Sequence, residues 1–224
     1  MDRGSGHDGL QDEQREIAML FFALDASEGF VIVGGAALLA LGIGGRPTQD
    51  VDFFTDDETR IQAAAAGLSD AAVARGWTCE VVRDSGSFTR LRLARGATVV
   101  AVDLATDVTA ARPLVESEMG PTFAPLEHAA RKALALFDRA AARDYIDLHA
   151  LAERFDRRSI LALAASLDLG FDEAVFAQML RAISRFTDDE LPCEPERAPA
   201  VRDFANHWAA ELEGGTQLER LPEP

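Results

Sequence analysis

Residues 30–55 read FVIVGGAALLALGIGGRPTQDVDFFT, and the fold turns on how this stretch divides. Residues 30–33 form an apolar run of buried-strand composition. Gly34-Gly35 follows, then a short apolar helix over residues 36–41. Gly42, Gly44 and Gly45 break that helix, and Pro47 marks a turn. The next strand carries Asp50-Val51-Asp52. Strand side chains alternate, so Asp50 and Asp52 share a face. Two carboxylates that close repel each other and lose hydration. A divalent cation offsets that cost, most often magnesium, which takes carboxylate and phosphate oxygens together. Gly34 and Gly35 offer backbone N–H groups at a helix start without Cβ interference, which suits a phosphate. A phosphate cradle upstream of a metal-holding carboxylate pair points to nucleoside triphosphate chemistry. Thr48 lies one alternation step before Asp50 and shares its face. It is either a nucleotide contact or an ordinary β-favouring residue. The GIGG run leads into a strand, so it is no dinucleotide fingerprint, and the sole lysine lacks the preceding glycine of a P-loop.

Working outward, residues 11–26 show helical spacing in Ile17, Leu20, Phe21 and Leu24, a packing helix with no chemistry. Residues 1–10 read as a loose polar tail. An alanine-rich helix is expected over residues 57–75, then strands over 77–82 and 87–94 around an Arg-Asp-Ser-Gly turn. A third strand, 97–104, carries Asp103 near its end; Asp103 could start a turn or join the carboxylate pair, and Asp107 is its competitor in the following loop. Arg83, Arg90, Arg92 and Arg95 cluster here, either as charges blunting a sheet edge or as a track for phosphates.

Residues 108–124 hold prolines and no period, and the domain boundary is placed there. Pro125 suits the first turn of the next helix. Lys132 lies at the edge of that helix's apolar face, formed by Leu126, Ala130, Ala133, Leu134 and Phe137. The following helix begins near Arg143, and Asp144 falls on its apolar side, as an N-cap, a buried hydrogen-bonding group or a site residue. Asp147 is one turn on. His128 and His149 read as surface or packing residues. Two further helices over 158–185 break at Gly170, 187–199 is an acidic, proline-rich connector, 200–213 a last helix, and the end from Gly214 frays.

The chain has 224 residues with 48% hydrophobic and 27% charged residues, ordinary for a globular protein. No apolar run approaches the roughly twenty residues of a membrane span. No apolar leader core is present near the start, and Cys79 and Cys193 read as reduced thiols, so the expected location is cytoplasmic. The net charge of −16 argues against a generally nucleic-acid-binding surface, although not against a local basic patch. Lys132 is the only lysine among 22 basic residues, which marks a position where the compact charge of an ammonium matters and arginine's fork does not serve.

Gly34-Gly35 followed by Asp50-Val51-Asp52-Phe53 resembles the polymerase-β-type nucleotidyltransferase superfamily. Residues 131–151, RKALALFDRAAARDYIDLHAL, are similar to the second-domain signature of AbiEii-type nucleotidyltransferase toxins. The resemblance spans roughly residues 30–152. It implies an α+β fold: a mixed sheet with flanking helices over residues 1–124, then a helical domain over 125–224 that completes the nucleotide site. It implies NMP transfer from an Mg-NTP to an acceptor hydroxyl, tRNA favoured, by a toxin restrained by an antitoxin. Asp50, Asp52 and Asp103 would hold two magnesium ions. Gly34, Gly35, Thr48 and Lys132 would contact the nucleotide, and Asp147 would join Lys132 in the site. Arg143 and Asp144 are expected as structural clamps. The alternatives are a nucleotidyltransferase acting on a cationic small molecule such as an aminoglycoside, a non-catalytic nucleotide-binding module, and a structural domain with a coincidental Asp-Val-Asp.

Overall fold

The computed structural model describes residues 10–44, 46–107 and 109–219, with side chains as far as Gly214. Gly45, most of the expected N-terminal tail and residues 220–224 lie outside the described residues. The chain forms two compact units, Met1–Ala124 and Pro125–Pro224.

The first unit is a seven-stranded mixed sheet with helices on it, in the strand order β3-β4-β5-β2-β1-β7-β6. Its elements in chain order are α1 (Asp12–Phe22), β1 (Val31–Val33), α2 (Gly34–Ala40), β2 (Asp50–Thr55), α3 (Ile61–Ala74), β3 (Thr78–Asp84), β4 (Phe88–Arg95), β5 (Thr98–Thr106), β6 (Val115–Ser117) and β7 (Gly120–Thr122). Alternation decides which side of the sheet is core. Val51 and Phe53 of β2, Leu91 and Leu93 of β4, and Val100, Val102 and Leu104 of β5 pack with Ile17 and Phe21 of α1 and Ile61 and Leu68 of α3. Phe21 stacks on Phe53 with ring centroids 3.9 Å apart. Each such buried side chain contributes about 2 kcal/mol of burial. The intervening residues Asp50, Asp52, Arg90, Arg92 and Asp103 therefore point to the sheet's other face.

Two expectations need correction here. Residues 108–124, read as prolines without a period, hold two short strands: β6 and β7 form a hairpin, and β7 pairs in parallel with β1 at Ile32 opposite Thr122. Strands of three residues, one containing Pro121, are too short to show a period. Asp103 lies inside β5 and not near its end, because the strand runs on to Thr106 while pairing with β2.

The second unit is helical: α4 (Pro125–Arg139), α5 (Ala142–Ala152), α6 (Arg157–Leu167), α7 (Glu173–Arg181) and α8 (Ala198–Glu219). Asp156 and Asp172 cap α6 and α7 by accepting from the Ser159 and Val175 N–H groups. Buried Tyr145 donates its hydroxyl to the Met179 carbonyl, and Phe176 meets Trp208 edge-on at 5.3 Å. The C-terminal helix does not fray at Gly214; it continues through Gly214 and Gly215 to Glu219.

Candidate active site

In the first unit, the parallel pairing of β2 with β5 sets Asp52 directly beside Asp103, and Asp50 beside Ala101. On its other flank β2 pairs with β1, where Val33 lies opposite Asp52. The chain then turns at Gly34 into α2, with φ at 72°. A Cβ at Gly34 would lie 2.1 Å from Asp52 Oδ2, so the carboxylate occupies the space that any other side chain would fill. At Gly35 a Cβ would meet Arg46 Nη2 at 3.0 Å and Thr48 Oγ1 at 3.2 Å. The glycine pair thus brings Asp52, Thr48 and Arg46 against the start of α2. Gln14 of α1 fixes the approach to β2: it is fully buried, and its Nε2 donates to the carbonyls of Thr48 at 3.1 Å and Asp50 at 3.4 Å.

Asp103 is gripped from the opposite side. Arg90 of β4 lies across from it in the antiparallel pairing of β4 with β5. Arg90 donates from Nε to Oδ1 at 2.7 Å and from Nη2 to Oδ2 at 2.6 Å, a two-pronged ion pair. The bonds to Asp103 raise the guanidinium's pKa above its ordinary value, and the charges of Asp103, Asp50 and Asp52 add to the effect. Asp103 is thereby drawn towards β4 while Asp52 lies over Gly34 on the β1 side. Among the described residues, no three acidic, histidine or cysteine side chains converge as a ready metal cage. Asp50, Asp52 and Asp103 are hard oxygen donors on one face, the donor type a divalent cation takes. Both oxygens of Asp103 are engaged by Arg90.

The other arginines of the expected track are engaged elsewhere. Arg95 pairs with Glu16 at 2.6 Å and lies 4.3 Å from the Trp77 ring centroid. Its hydrogen bond keeps the Glu16 carboxyl below its usual range. Arg92 is 3.8 Å from Glu80, and Arg83 lies over Phe88 at 5.3 Å. Asp107 follows β5, and its backbone N–H bonds the Thr55 carbonyl.

In the second unit, Ala140 takes a left-handed turn with φ at 44° between α4 and α5. That tight link sets the first turns of α5 beside the end of α4. Lys132 Nζ contacts Asp147 Oδ2 at 2.7 Å and Asp144 Oδ1 at 3.8 Å. Asp144 also accepts two bonds from Arg139, at 2.9 and 3.0 Å. The side chains of Asp144 and Asp147 are 0% and 2% exposed and that of Lys132 is 12% exposed, so this is a buried charge knot. Asp144 is not an N-cap; Ala141 holds that position. Of the two expected structural clamps, Asp144 is buried and held by the fork of Arg139, whereas Arg143 is exposed. Nearby, Glu127 is fully buried against Arg131 at 2.9 Å. His128 is also buried, and desolvation, aided by the Lys132 and Arg131 charges, pushes its pKa down to about 3.

Two residues escaped the sequence reading, Gln14 and Arg139, and Arg90 was read only as part of a basic cluster, without its partner Asp103. That pairing could have been found. Pairing β4 with β5 residue by residue back from the Gly96-Ala97 turn brings Arg90 opposite Asp103. Gln14 carried no such signal, because it pairs with backbone 34 and 36 residues away.

The family model described as nucleotidyl transferase AbiEii toxin, type IV TA system, matches residues 20–222. No curated protein matches the chain. Among solved structures, JHP933 from Helicobacter pylori aligns over 96% of this chain and 97% of its own at 18% identity, with a TM-score of 0.60. MenT4, a nucleotidyltransferase toxin from Mycobacterium tuberculosis H37Rv, aligns over 88% of this chain and 85% of its own at 19% identity, with a TM-score of 0.59. Both share the fold.

Proposed function

The chain belongs to the AbiEii nucleotidyltransferase toxin family, and on that premise we propose that it transfers NMP from an Mg-NTP to an acceptor hydroxyl, tRNA being favoured, and releases pyrophosphate. The observation that carries this reading is the strand register: Asp52 lies beside Asp103, Asp50 shares their face, and Gly34 leaves room for the Asp52 carboxylate. Asp50, Asp52 and Asp103 would hold two magnesium ions, which when bound neutralise triphosphate charge and make the acceptor hydroxyl a better nucleophile. Gly34 and Gly35 let the β- and γ-phosphates approach the backbone, and Thr48 adds a hydroxyl contact. Asp103 accepts the proton of the attacking hydroxyl. Residues 1–124 act as the catalytic domain, and residues 125–224 are the helical domain. Lys132 of the helical domain, oriented by Asp147, supplies a compact cation suited to a triphosphate. Most of the rate enhancement comes from positioning and charge stabilisation. A cognate antitoxin restrains the protein in the cytoplasm.

A net charge of −16 favours a second acceptor class, a cationic small molecule of aminoglycoside type. The deciding experiment supplies each NTP labelled at its α-phosphate, with magnesium, to total tRNA, cell protein and an aminoglycoside panel, alongside the Asp52→Ala protein. Label in tRNA that disappears with Asp52→Ala is the expected result. Label in a small molecule would move the acceptor to the second class, and absence of nucleotide binding would refute the reading.

A further inference from the structure

We propose that Arg90 is a built-in counter-cation that keeps divalent metal off Asp103 until a triphosphate takes the arginine away. The proposal rests on the reading of Asp50, Asp52 and Asp103 as metal holders, and adds to it a coupling between nucleotide and metal. The guanidinium spans both oxygens of Asp103 at 2.6 and 2.7 Å, the oxygens an incoming ion would need. It also lies within electrostatic reach of Asp50 and Asp52. A positive charge fixed there lowers the pull of all three carboxylates on a second cation. Burial of the Asp103 side chain, 13% exposed, leaves that carboxylate dependent on a partner. The Arg90 side chain is 46% exposed and can turn outward without unpacking a core. What would draw it out is a ligand offering the same two-pronged match, and phosphate oxygens do so. Arg90 then passes from carboxylate to phosphate, and Asp103 becomes available to metal in the same event. Magnesium would occupy the Asp103 side of the site together with nucleotide and not ahead of it.

The test is Mn²⁺ titration of the full chain, with free Mn²⁺ read by electron paramagnetic resonance. It is run with and without an NTP analogue carrying a methylene between the α- and β-phosphates. In the wild type, Mn²⁺ binding should be weak alone and tighten strongly with the analogue. In Arg90→Gln, binding without the analogue should tighten about tenfold, and the extra gain from the analogue should shrink by a similar factor. Arg90→Lys keeps the charge but loses the fork, so it should lie between the two; it serves as the second reading should Arg90→Gln fold poorly. Unchanged or weaker Mn²⁺ binding in both variants would overturn the proposal. Asp52→Asn separates the two layers. If it abolishes Mn²⁺ binding while the Arg90 variants behave like wild type, the metal site stands and the counter-cation role falls. If Mn²⁺ binding is indifferent to Asp52, the metal reading itself fails.

Discussion

A methyl group at position 34 would do two kinds of damage at once. The backbone there has φ at 72°, a conformation that costs a residue with a Cβ about 1 kcal/mol or more. The new carbon would also fall 2.1 Å from Asp52 Oδ2, so the carboxylate would have to leave. Gly34→Ala is therefore expected to destabilise the protein by about 2 kcal/mol and to abolish nucleotide transfer. Gly35 is the control, because its φ is not in the left-handed region and a Cβ there meets Arg46 and Thr48 only at 3.0–3.2 Å. Gly35→Ala should cost less stability. Urea unfolding of both variants checks the ranking; equal loss of stability in the two would mean that the left-handed φ and the Asp52 clash are not what sets Gly34 apart. At this scale the sequence was informative wherever chemistry coincided with a periodic pattern. Asp50 and Asp52 could be placed on one face because β2 alternates strictly. The partner of Asp103 depended on a register, and the partner of Asp144 on a helix–helix turn, and neither is visible in a residue's own neighbourhood.

Among the elements, the α4–α5 pair holds a buried cluster of charge, with Asp144 and Asp147 against Lys132. Removing one member of such a pair leaves the other buried and unpaired, which costs about 3–5 kcal/mol, whereas replacing both with apolar side chains is often close to neutral. Asp147→Ala should accordingly destabilise the protein by about 3 kcal/mol, since Lys132 would be left with Asp144 at 3.8 Å. The double variant Lys132→Met, Asp147→Leu should recover much of that stability and remain inactive in nucleotide transfer. Urea unfolding curves for the single and double variants measure the first part, and the transfer assay the second. A double variant that is both stable and active would remove Lys132 from the proposed site. The long elements were legible for plain reasons: the alanine-rich α3, the apolar β5 and the amphipathic α4 each repeat a pattern over many residues. The hairpin of β6 and β7 was not. Its strands hold three residues each, and it is placed by Thr122 donating to the Ile32 carbonyl 90 residues earlier in sequence.

For the whole molecule, two opposing effects set the response to acid. A net charge of −16 means self-repulsion that protonation relieves, so acidification could stabilise the fold. Unperturbed carboxyl groups take up protons near pH 4, however, and between pH 7 and 5 histidine is the side chain that changes charge. Burial pushes the pKa of His128 down to about 3, and burial lowers that of His149 as well. The unfolded chain therefore binds protons below about pH 6.5 that the folded chain refuses, and stability must fall as pH falls through that window. Each pH unit below 6.5 costs about 1.4 kcal/mol for a histidine that stays neutral when folded, or about 2 kcal/mol at pH 5 for His128 alone. The histidine effect dominates because the carboxylate relief begins only where this window is ending. Urea unfolding at constant ionic strength should thus show a midpoint that drops from pH 7 to pH 5. The drop should be markedly smaller in His128→Gln, whatever that variant's stability at pH 7, with the residue of the slope attributable to His149. A midpoint that rises on acidification would mean that self-repulsion outweighs the buried histidines. A wild-type slope preserved in His128→Gln would mean that the proton uptake belongs to another group.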